Sequence, residues 1–275
     1  MSSLVSVIMP CYGVFPAYLK ESVESILFQS YGNLELIVII DPSVPKLDKE
    51  IMHVLDYFKD DKRLKVILHK SRKGLVNSLN EAILLSRGKY IARADGDDIN
   101  IPFRIEYQIN FMEDNKYHMV GSWALLIDEN NKVISKIKKP VTPNEIMSKI
   151  MLHNSFLHPT VVIKKEIFKN VGLYDDRFER SEDYELWLRI ISKGYLCANY
   201  PNYLVALRKT TSSVTRGPEW LKNRFMYQRC KLYAFKNYKF NKFRDLIFLA
   251  ITPLSLFIHP STEVLMRKIL GKLIV

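Results

Sequence analysis

Cysteine is scarce: Cys11, Cys197 and Cys230 are the three in 275 residues. They are too few and too scattered for a disulfide framework or a zinc site, which fits a reducing compartment. The glycine-rich phosphate cradles are missing too. Pro10-Cys11-Tyr12-Gly13 follows the first apolar run, where a dinucleotide enzyme carries G-x-G-x-x-G, and G-x-x-x-x-G-K-[ST] occurs nowhere. Hydride transfer and P-loop hydrolysis are therefore not expected. The late apolar stretch Leu246 to Ile251, continued after Pro253 by Leu254 to Ile258, falls short of the ~20 residues that span a bilayer. No positive region precedes Leu4 and Pro10 interrupts the first apolar run, so no signal peptide is expected and the chain is placed in the cytoplasm.

What is present is a well-supplied core. A hydrophobic content of 48% excludes a disordered protein, and the length suits one large domain or a domain with an appendage. Val5 to Met9, Leu34 to Ile40, Leu64 to Leu68 and Tyr90 to Ala94 read as buried strands. Phe15 to Gln29, Asp48 to Phe58 and Gly74 to Ser86 repeat apolar residues at helical spacing. This alternation with short connections predicts a parallel sheet wound with helices, an α/β nucleotide-binding architecture. The pattern then becomes mixed. Helices are expected over Pro102 to Asn115 and Pro143 to His153, a hairpin from Met119 to Lys138 around Asp128-Glu129-Asn130-Asn131, a strand over Thr160 to Ile163 and a short helix over Lys165 to Val171.

Two acidic groups can carry chemistry. Asp95-Gly96-Asp97-Asp98 follows the fourth strand, and three carboxylates in four residues cannot be buried unpaired. They belong at the strand's C-terminal edge, where open α/β sheets bind ligands. Crowded carboxylates raise one another's pKa unless a cation neutralises them, and hard oxygen ligands suit Mg²⁺ or Mn²⁺. A solvated acidic turn is the plain alternative. The second group, Glu182-Asp183, opens a helix after Ser181 as N-cap, with Leu186, Trp187 and Ile190 as its buried face. A rigidly held, ionised Asp183 can take a proton from a hydroxyl; otherwise the pair merely complements the helix dipole. His158, before Pro159, is a further candidate for ligand contact.

The positive charge is unevenly spread. From Arg208 onward fourteen Lys or Arg face three acids, Glu219, Asp245 and Glu263, so eleven of the twelve net positive charges lie in the last quarter. The basic cluster from Lys222 to Arg244 leads into the late apolar run, which reads as an interfacial helix on an anionic leaflet. Packing on the main domain or forming a homodimer is the other use open to it. No nucleic-acid motif accompanies the charge, and Tyr227, Tyr233, Phe235 and Tyr238 read as helix packing rather than base stacking. Nucleic acid is not an expected partner.

Together these stretches resemble the family 2 glycosyltransferases, inverting enzymes of GT-A fold, and within them the members that assemble bacterial capsule or lipopolysaccharide. The resemblance runs from Val5 to about Arg216. It is carried by Val5 to Tyr12, Glu35 to Asp41, Lys73-Gly74-Leu75, Ala92 to Asp98 with Pro102 and Arg104, His158-Pro159-Thr160 with Gly172, and Glu182 to Arg189. It implies a catalytic domain over residues 1–215, with a nucleotide-binding half (1–100) and an acceptor half (101–215), and a basic helical membrane-associating segment over 216–275. Pro10 and Tyr12 would line the base pocket, Asp41 would accept from a pyrimidine N3–H, and Arg72 would lie by the base or diphosphate. Gly74 and Gly96 join them in the nucleotide site. Asp95 and Asp97 match the DxD element that grips the donor ribose and a Mn²⁺ or Mg²⁺ ion, and Asp98 would hold the loop. Asp183 matches the general base. His158, Glu182 and Arg208, the last with Lys209, would face the acceptor or diphosphate. One departure is Ile40-Asp41-Pro42-Ser43 where many relatives have Asp-Asp-Gly-Ser.

The function implied is transfer of a sugar from a nucleotide diphosphate donor, UDP-hexose or UDP-N-acetylhexosamine, to a hydroxyl of a polyprenyl-diphosphate-linked glycan at the inner face of the cytoplasmic membrane. Two rivals are weighed. A sugar nucleotidyltransferase would need a basic, glycine-rich loop where Pro10 to Phe15 stands. A non-enzymatic basic membrane- or nucleic-acid-binding protein would need no acid pair.

Overall fold

β-branched runs closed by Pro, Gly or Asn become central strands when both of their faces can be covered. The computed structural model, which describes residues 2–209 and 220–238, realises this four times. Strands β1 (Val5–Cys11), β2 (Leu34–Ile40), β3 (Leu64–Leu68) and β4 (Tyr90–Arg93) lie parallel in the order β3-β2-β1-β4. Alternate side chains point to opposite faces. Val5, Val7, Met9, Leu36, Val38 and Ile40 meet helices α1 (Pro16–Leu27) and α2 (Pro45–Asp56), whereas Ile8, Ile37, Ile39 and Ile91 meet α3 (Leu75–Leu85). Val5 pairs with both Leu34 and Tyr90, so the carboxyl ends of β1, β2 and β4 come to one edge. The expected α/β sheet is formed.

Beyond β4 come β5 (Ile99–Asn100), α4 (Arg104–Asp114), β6 (Met119–Ile127), β7 (Val133–Ile137), α5 (Pro143–Lys149), β8 (Val162–Lys164), α6 (Phe168–Val171), α7 (Glu182–Ser192), β9 (Cys197–Arg208) and α8 (Trp220–Asn237). They extend the sheet as β4-β8-β6-β9-β5, antiparallel except for β6 with β9, and β7 hangs on β6. Some sequence boundaries move. α5 stops at Lys149 instead of His153, and the strand expected from Thr160 starts at Val162 because His158–Thr160 is a 3₁₀ turn. β5 and β9 have no counterpart in the sequence reading. In β9, Pro201-Asn202 looks like a turn signal, yet the strand continues by bulging the pair out between Tyr200 and Tyr203 where its register on β6 slips.

α7 is buried on nearly every side, not on one face: Tyr184, Glu185, Leu188 and Ile191 are as enclosed as Leu186, Trp187 and Ile190. The cover is α8. Cys230 and Ala234 enter the same core as Trp187, Tyr227 stacks on Tyr184 with ring centroids 5.2 Å apart, and Lys231 Nζ donates to the Leu152 carbonyl at 3.0 Å. Tyr233 packs on Phe178 and Phe235 lies against the same core. α8, which falls within the segment drawn from residue 216, is thus a helix of the main core, and the run Leu246 to Ile258 lies outside the described residues. Among the described residues no helix is long and apolar enough to cross a membrane.

Candidate active site

The Asp95–Asp98 loop leaves β4 at the sheet edge and is pinned from two sides. Ser22 Oγ of α1 donates to the Asp95 carbonyl at 2.7 Å. From β9, the Arg208 backbone N–H donates to the Asp98 carboxylate and Arg208 Nε to the Asp97 carbonyl, both at 2.9 Å. Gly96 permits this closeness, because a Cβ there would stand 2.8 Å from Cys11 Sγ and 3.3 Å from Leu19 Cδ1. Gly96→Ala should therefore displace the loop and cost roughly 1–3 kcal/mol of stability, measurable as a lower denaturation midpoint; an unchanged midpoint with unchanged donor binding would show that the turn has slack.

One carboxylate oxygen from each of Asp95, Asp97 and Asp98 lies within 4.8 Å of the others. Burial and the neighbouring Asp95 push Asp97 up to about 6. Asp98, fully enclosed, is raised well above the carboxylate range by burial and then by Asp95 and Asp97. Such a trio is electrostatically unfavourable without a cation, and its oxygens match what Mg²⁺ or Mn²⁺ takes. Asp98 is occupied by the Arg208 N–H, so Asp95 and Asp97, both only half-buried, are the pair that can ligate.

The Arg208 guanidinium, a tentative acceptor or diphosphate contact, is enclosed and paired with Glu21 at 2.7 Å over the ring of Tyr18 at 4.1 Å, so it braces the loop. Lys209 is exposed beyond it.

At the ends of β1 and β3, Tyr12 and Arg72 form a rim, with the guanidinium 4.3 Å from the ring centroid and Pro10 half-buried. The exposed ring, backed by the cation, can stack on a planar base. Asp41, the base contact implied by resemblance, already holds partners within the chain. Its carboxylate accepts the N–H groups of Lys73 at 2.7 Å and Gly74 at 2.8 Å, and lies 3.0 Å from His69 Nδ1. Burial alone would raise it, but these bonds prevail and hold it below the ordinary range. Of roughly four acceptor directions on a carboxylate, three are taken. Gly74, with φ +85° at the N-cap of α3, adopts a conformation that L side chains rarely take. Asp41 therefore shapes the 73–74 turn. His69 continues the network to Glu81 at 3.0 Å, a link the sequence reading missed.

The second acid group sits at the start of α7. Ser181 occupies the N-cap position, yet its hydroxyl donates to the Phe178 carbonyl and caps nothing. Asp183 serves instead: Oδ1 accepts the Tyr184 N–H at 2.6 Å and Oδ2 accepts Asn154 Nδ2 at 2.8 Å. Both bonds fix its plane. Burial raises its pKa, opposed by these two bonds and by the charges of Arg93 and Lys139. Glu182 is buried with Oε2 lacking a hydrogen-bond partner among the described residues, and burial followed by the Asp183 charge lifts it to about 7.

Between the two acid groups stands Arg93, the last residue of β4 and only 5% exposed. It pairs with Asp95, and its charge favours ionisation of Asp97 and Asp98 on one side and of Glu182 and Asp183 on the other. The sequence reading quoted Arg93 within a motif but gave it no role; a cation two residues before an acidic cluster was the available signal. His158, the tentative ligand contact, is half-buried: Nε2 is 2.9 Å from the Tyr174 hydroxyl and its ring packs against Trp187 in a T-shaped contact. Burial, then Arg93, holds its pKa well below the usual imidazole value. It is a neutral wall residue. A polar cavity of about 460 Å³ opens nearby, lined by Asn77, Asn80, Tyr174 and Asp175 among others, and it borders neither Asp97 nor Asp183.

Comparison with known proteins agrees with this geometry. The model of glycosyl transferase family 2 matches residues 6–172, so Asp183 lies beyond the matched part. The chain is 36% identical over 194 residues to an uncharacterized glycosyltransferase of Methanocaldococcus jannaschii, covering 70% of this chain and 66% of that one. It is 35% identical over 191 residues to the O-antigen biosynthesis glycosyltransferase WbnJ of Escherichia coli, covering 69% and 72%. Among solved structures it resembles S. aureus TarS in complex with UDP-GlcNAc (TM-score 0.67, 17% identity, 90% of this chain and 70% of that one). A second is the mannosyltransferase PcManGT of Pyrobaculum calidifontis in complex with GDP-Man and Mn²⁺ (TM-score 0.66, 18% identity, 92% and 71%). The structural likenesses establish the GT-A fold. With the family match spanning more than half its length, an acidic loop at the edge of a GT-A sheet and glycosyltransferases as its M. jannaschii and E. coli relatives, the chain belongs to glycosyl transferase family 2.

Proposed function

We propose that the protein transfers a hexose or N-acetylhexosamine from a UDP-linked donor to a hydroxyl of a lipid-linked glycan, with inversion at the anomeric carbon, in surface polysaccharide synthesis. One arrangement carries the reading: Arg93 pairs with Asp95 and its charge also favours the ionised forms of Glu182 and Asp183, so one buried cation serves an acid group fit to hold a cation and another fit to hold a proton. The donor class is supported by the UDP-GlcNAc bound in the TarS structure, and the pathway by the O-antigen role of the E. coli relative. The chain spans about two thirds of the length of the M. jannaschii relative, and the activity proposed is that of the domain described. It would work on the inner face of the cytoplasmic membrane, held there by its basic final quarter.

In this reaction the Tyr12 ring, backed by the Arg72 guanidinium, stacks on the base, and the Asp41-fixed turn at Lys73-Gly74 shapes the pocket floor. Asp95 and Asp97 would hold a divalent cation, which would supply the positive charge that a departing nucleoside diphosphate requires. Asp183, with its plane set by Asn154 and the Tyr184 N–H, accepts the proton of the acceptor hydroxyl as that oxygen attacks the anomeric carbon from the side opposite the leaving group. The transition state is oxocarbenium-like, as in glycoside hydrolysis. Glu182, near half-protonation at neutral pH, keeps the second negative charge beside Asp183 small. The test is to incubate the purified chain with a panel of sugar nucleotides with and without Mn²⁺. Release of a nucleoside diphosphate supports the reading; release of inorganic diphosphate from a nucleoside triphosphate would overturn it in favour of nucleotidyl transfer.

Arg93→Met should lower transfer by about 10²-fold, the order seen when a preorganised charge is removed from an active site. It should also move the acidic limb of the kcat/KM profile to higher pH. The sign follows from the charge: the Arg93 guanidinium favours the ionised forms of Glu182 and Asp183, so its loss raises both and the working carboxylate appears later in a pH titration. Arg93→Lys should restore part of the rate. A profile that keeps its limb in the Met variant would separate Arg93 from the base.

A further inference from the structure

α8 carries an outward pattern that the reaction does not use. Lys222, Phe225, Arg229, Leu232 and Lys236 are all exposed, and steps of three and four residues place them in one line along the helix. At ~1.5 Å of rise per residue the line is about 21 Å long. The cations recur every seven residues, and between them stand Phe225 and Leu232, 63% and 51% exposed. No acid interrupts the helix from Trp220 to Asn237. The opposite side is engaged, with Cys230 and Ala234 in the core and Lys231 on Leu152, so this line cannot be the buried face turned the wrong way. Arg229 passes near Phe178, 5.8 Å from its ring centroid, and still reaches solvent.

A single exposed leucine needs no explanation. Three cations alternating with two large apolar side chains, all pointing away from the fold, fit a surface that is anionic and also admits hydrocarbon. Nucleic acid would meet the cations and leave Leu232 in water, since Leu offers no stacking face. We propose that the outward line of α8 is where the protein lies on an anionic lipid bilayer, with Phe225 and Leu232 entering the headgroup region and Lys222, Arg229 and Lys236 meeting lipid phosphates. This rests on the membrane location proposed above and gives it a place in the described fold. It also sets an orientation. α8 lies on α7 through Tyr227 and Tyr184, so the lipid surface stands about one interhelical spacing, ~10 Å, from the helix that carries Asp183. A glycan anchored in the same leaflet would be presented to the base side of the cleft.

The experiment uses the full chain in vesicle flotation, with phosphatidylcholine alone or mixed with phosphatidylglycerol. The unaltered protein is expected to float with the anionic vesicles only. Lys222→Glu, Arg229→Glu and Lys236→Glu together should weaken that binding by about 100-fold or more, and Phe225→Ser with Leu232→Ser by about 10-fold. All five positions are exposed, so thermal midpoint and sugar-nucleotide binding should stay as in the parent, which verifies folding. If both variants float like the parent while Lys239→Glu, Lys242→Glu and Arg244→Glu together abolish flotation, the contact lies beyond residue 238 and this inference falls while the membrane reading stands. Flotation of the parent with neither vesicle overturns both. A change in sedimenting mass with flotation unchanged would make the line a subunit contact and also overturn the inference.

Discussion

Asp183→Asn is expected to reduce sugar transfer by about 10³-fold, within the range that general bases contribute, while sugar-nucleotide affinity changes less than twofold. The amide keeps the shape of the carboxylate but cannot take a proton. Its oxygen can still accept the Tyr184 N–H; its NH₂ then faces the Asn154 NH₂, which now donates to Asp183 Oδ2. One lost hydrogen bond costs about 1 kcal/mol, and loss of a partly buried carboxylate whose pKa burial had raised offsets part of it, so the fold should hold. Calorimetry with UDP-sugar reads binding and nucleoside diphosphate release reads transfer. Equal loss of both would place Asp183 in the donor site and refute the division between the two acid groups.

Asp97→Ala should do the reverse at the level of binding. Metal-dependent donor affinity is expected to fall by about 10²-fold, since one of two available oxygen ligands is gone and outer partners alone are worth 10–100-fold in metal sites. The metal-free protein should become more stable, not less. Asp97 titrates near 6 in the folded chain against an ordinary value of 3.8, so its share of stability is complete below the unfolded value and is lost as pH rises through about 6. The Ala variant escapes that loss, and Asp98 is freed of one of the charges raising it. In EDTA its melting temperature should exceed that of the parent at pH 8 and approach it at pH 4. A melting temperature at pH 8 below that of the parent would mean that the three carboxylates are not in conflict, and that a cation is not what they await.

The parallel half of the sheet was readable because its strands are apolar on both faces and its breaks are marked by Pro10, Asp41-Pro42 and Gly74. The acidic loop was readable because charge cannot stay buried at a strand end. What escaped the sequence depended on distant partners. Arg208 looks like any basic residue before a basic tail, and only the meeting of β9 with α1 shows that Glu21 already holds it. Asp41 looks like a free acid at a strand end, and only the return of the chain at Lys73-Gly74 occupies it. Arg93 gains meaning once β8 and α7 bring Glu182 and Asp183 to the edge that β4 reaches. β9 was hidden by Pro201-Asn202, a local turn signal that a bulge absorbs.

The way α8 closes over α7 bears on how the protein can be handled. A polypeptide stopped at residue 216, the edge of the family resemblance, would strip the cover from Tyr184 and leave a hollow where Cys230 and Ala234 sit. Aromatic surface laid bare next to the base-bearing helix should make such a fragment self-associate and precipitate. A soluble catalytic unit therefore has to reach at least Tyr238, whose ring edge packs on Tyr233 and whose hydroxyl bonds Glu185.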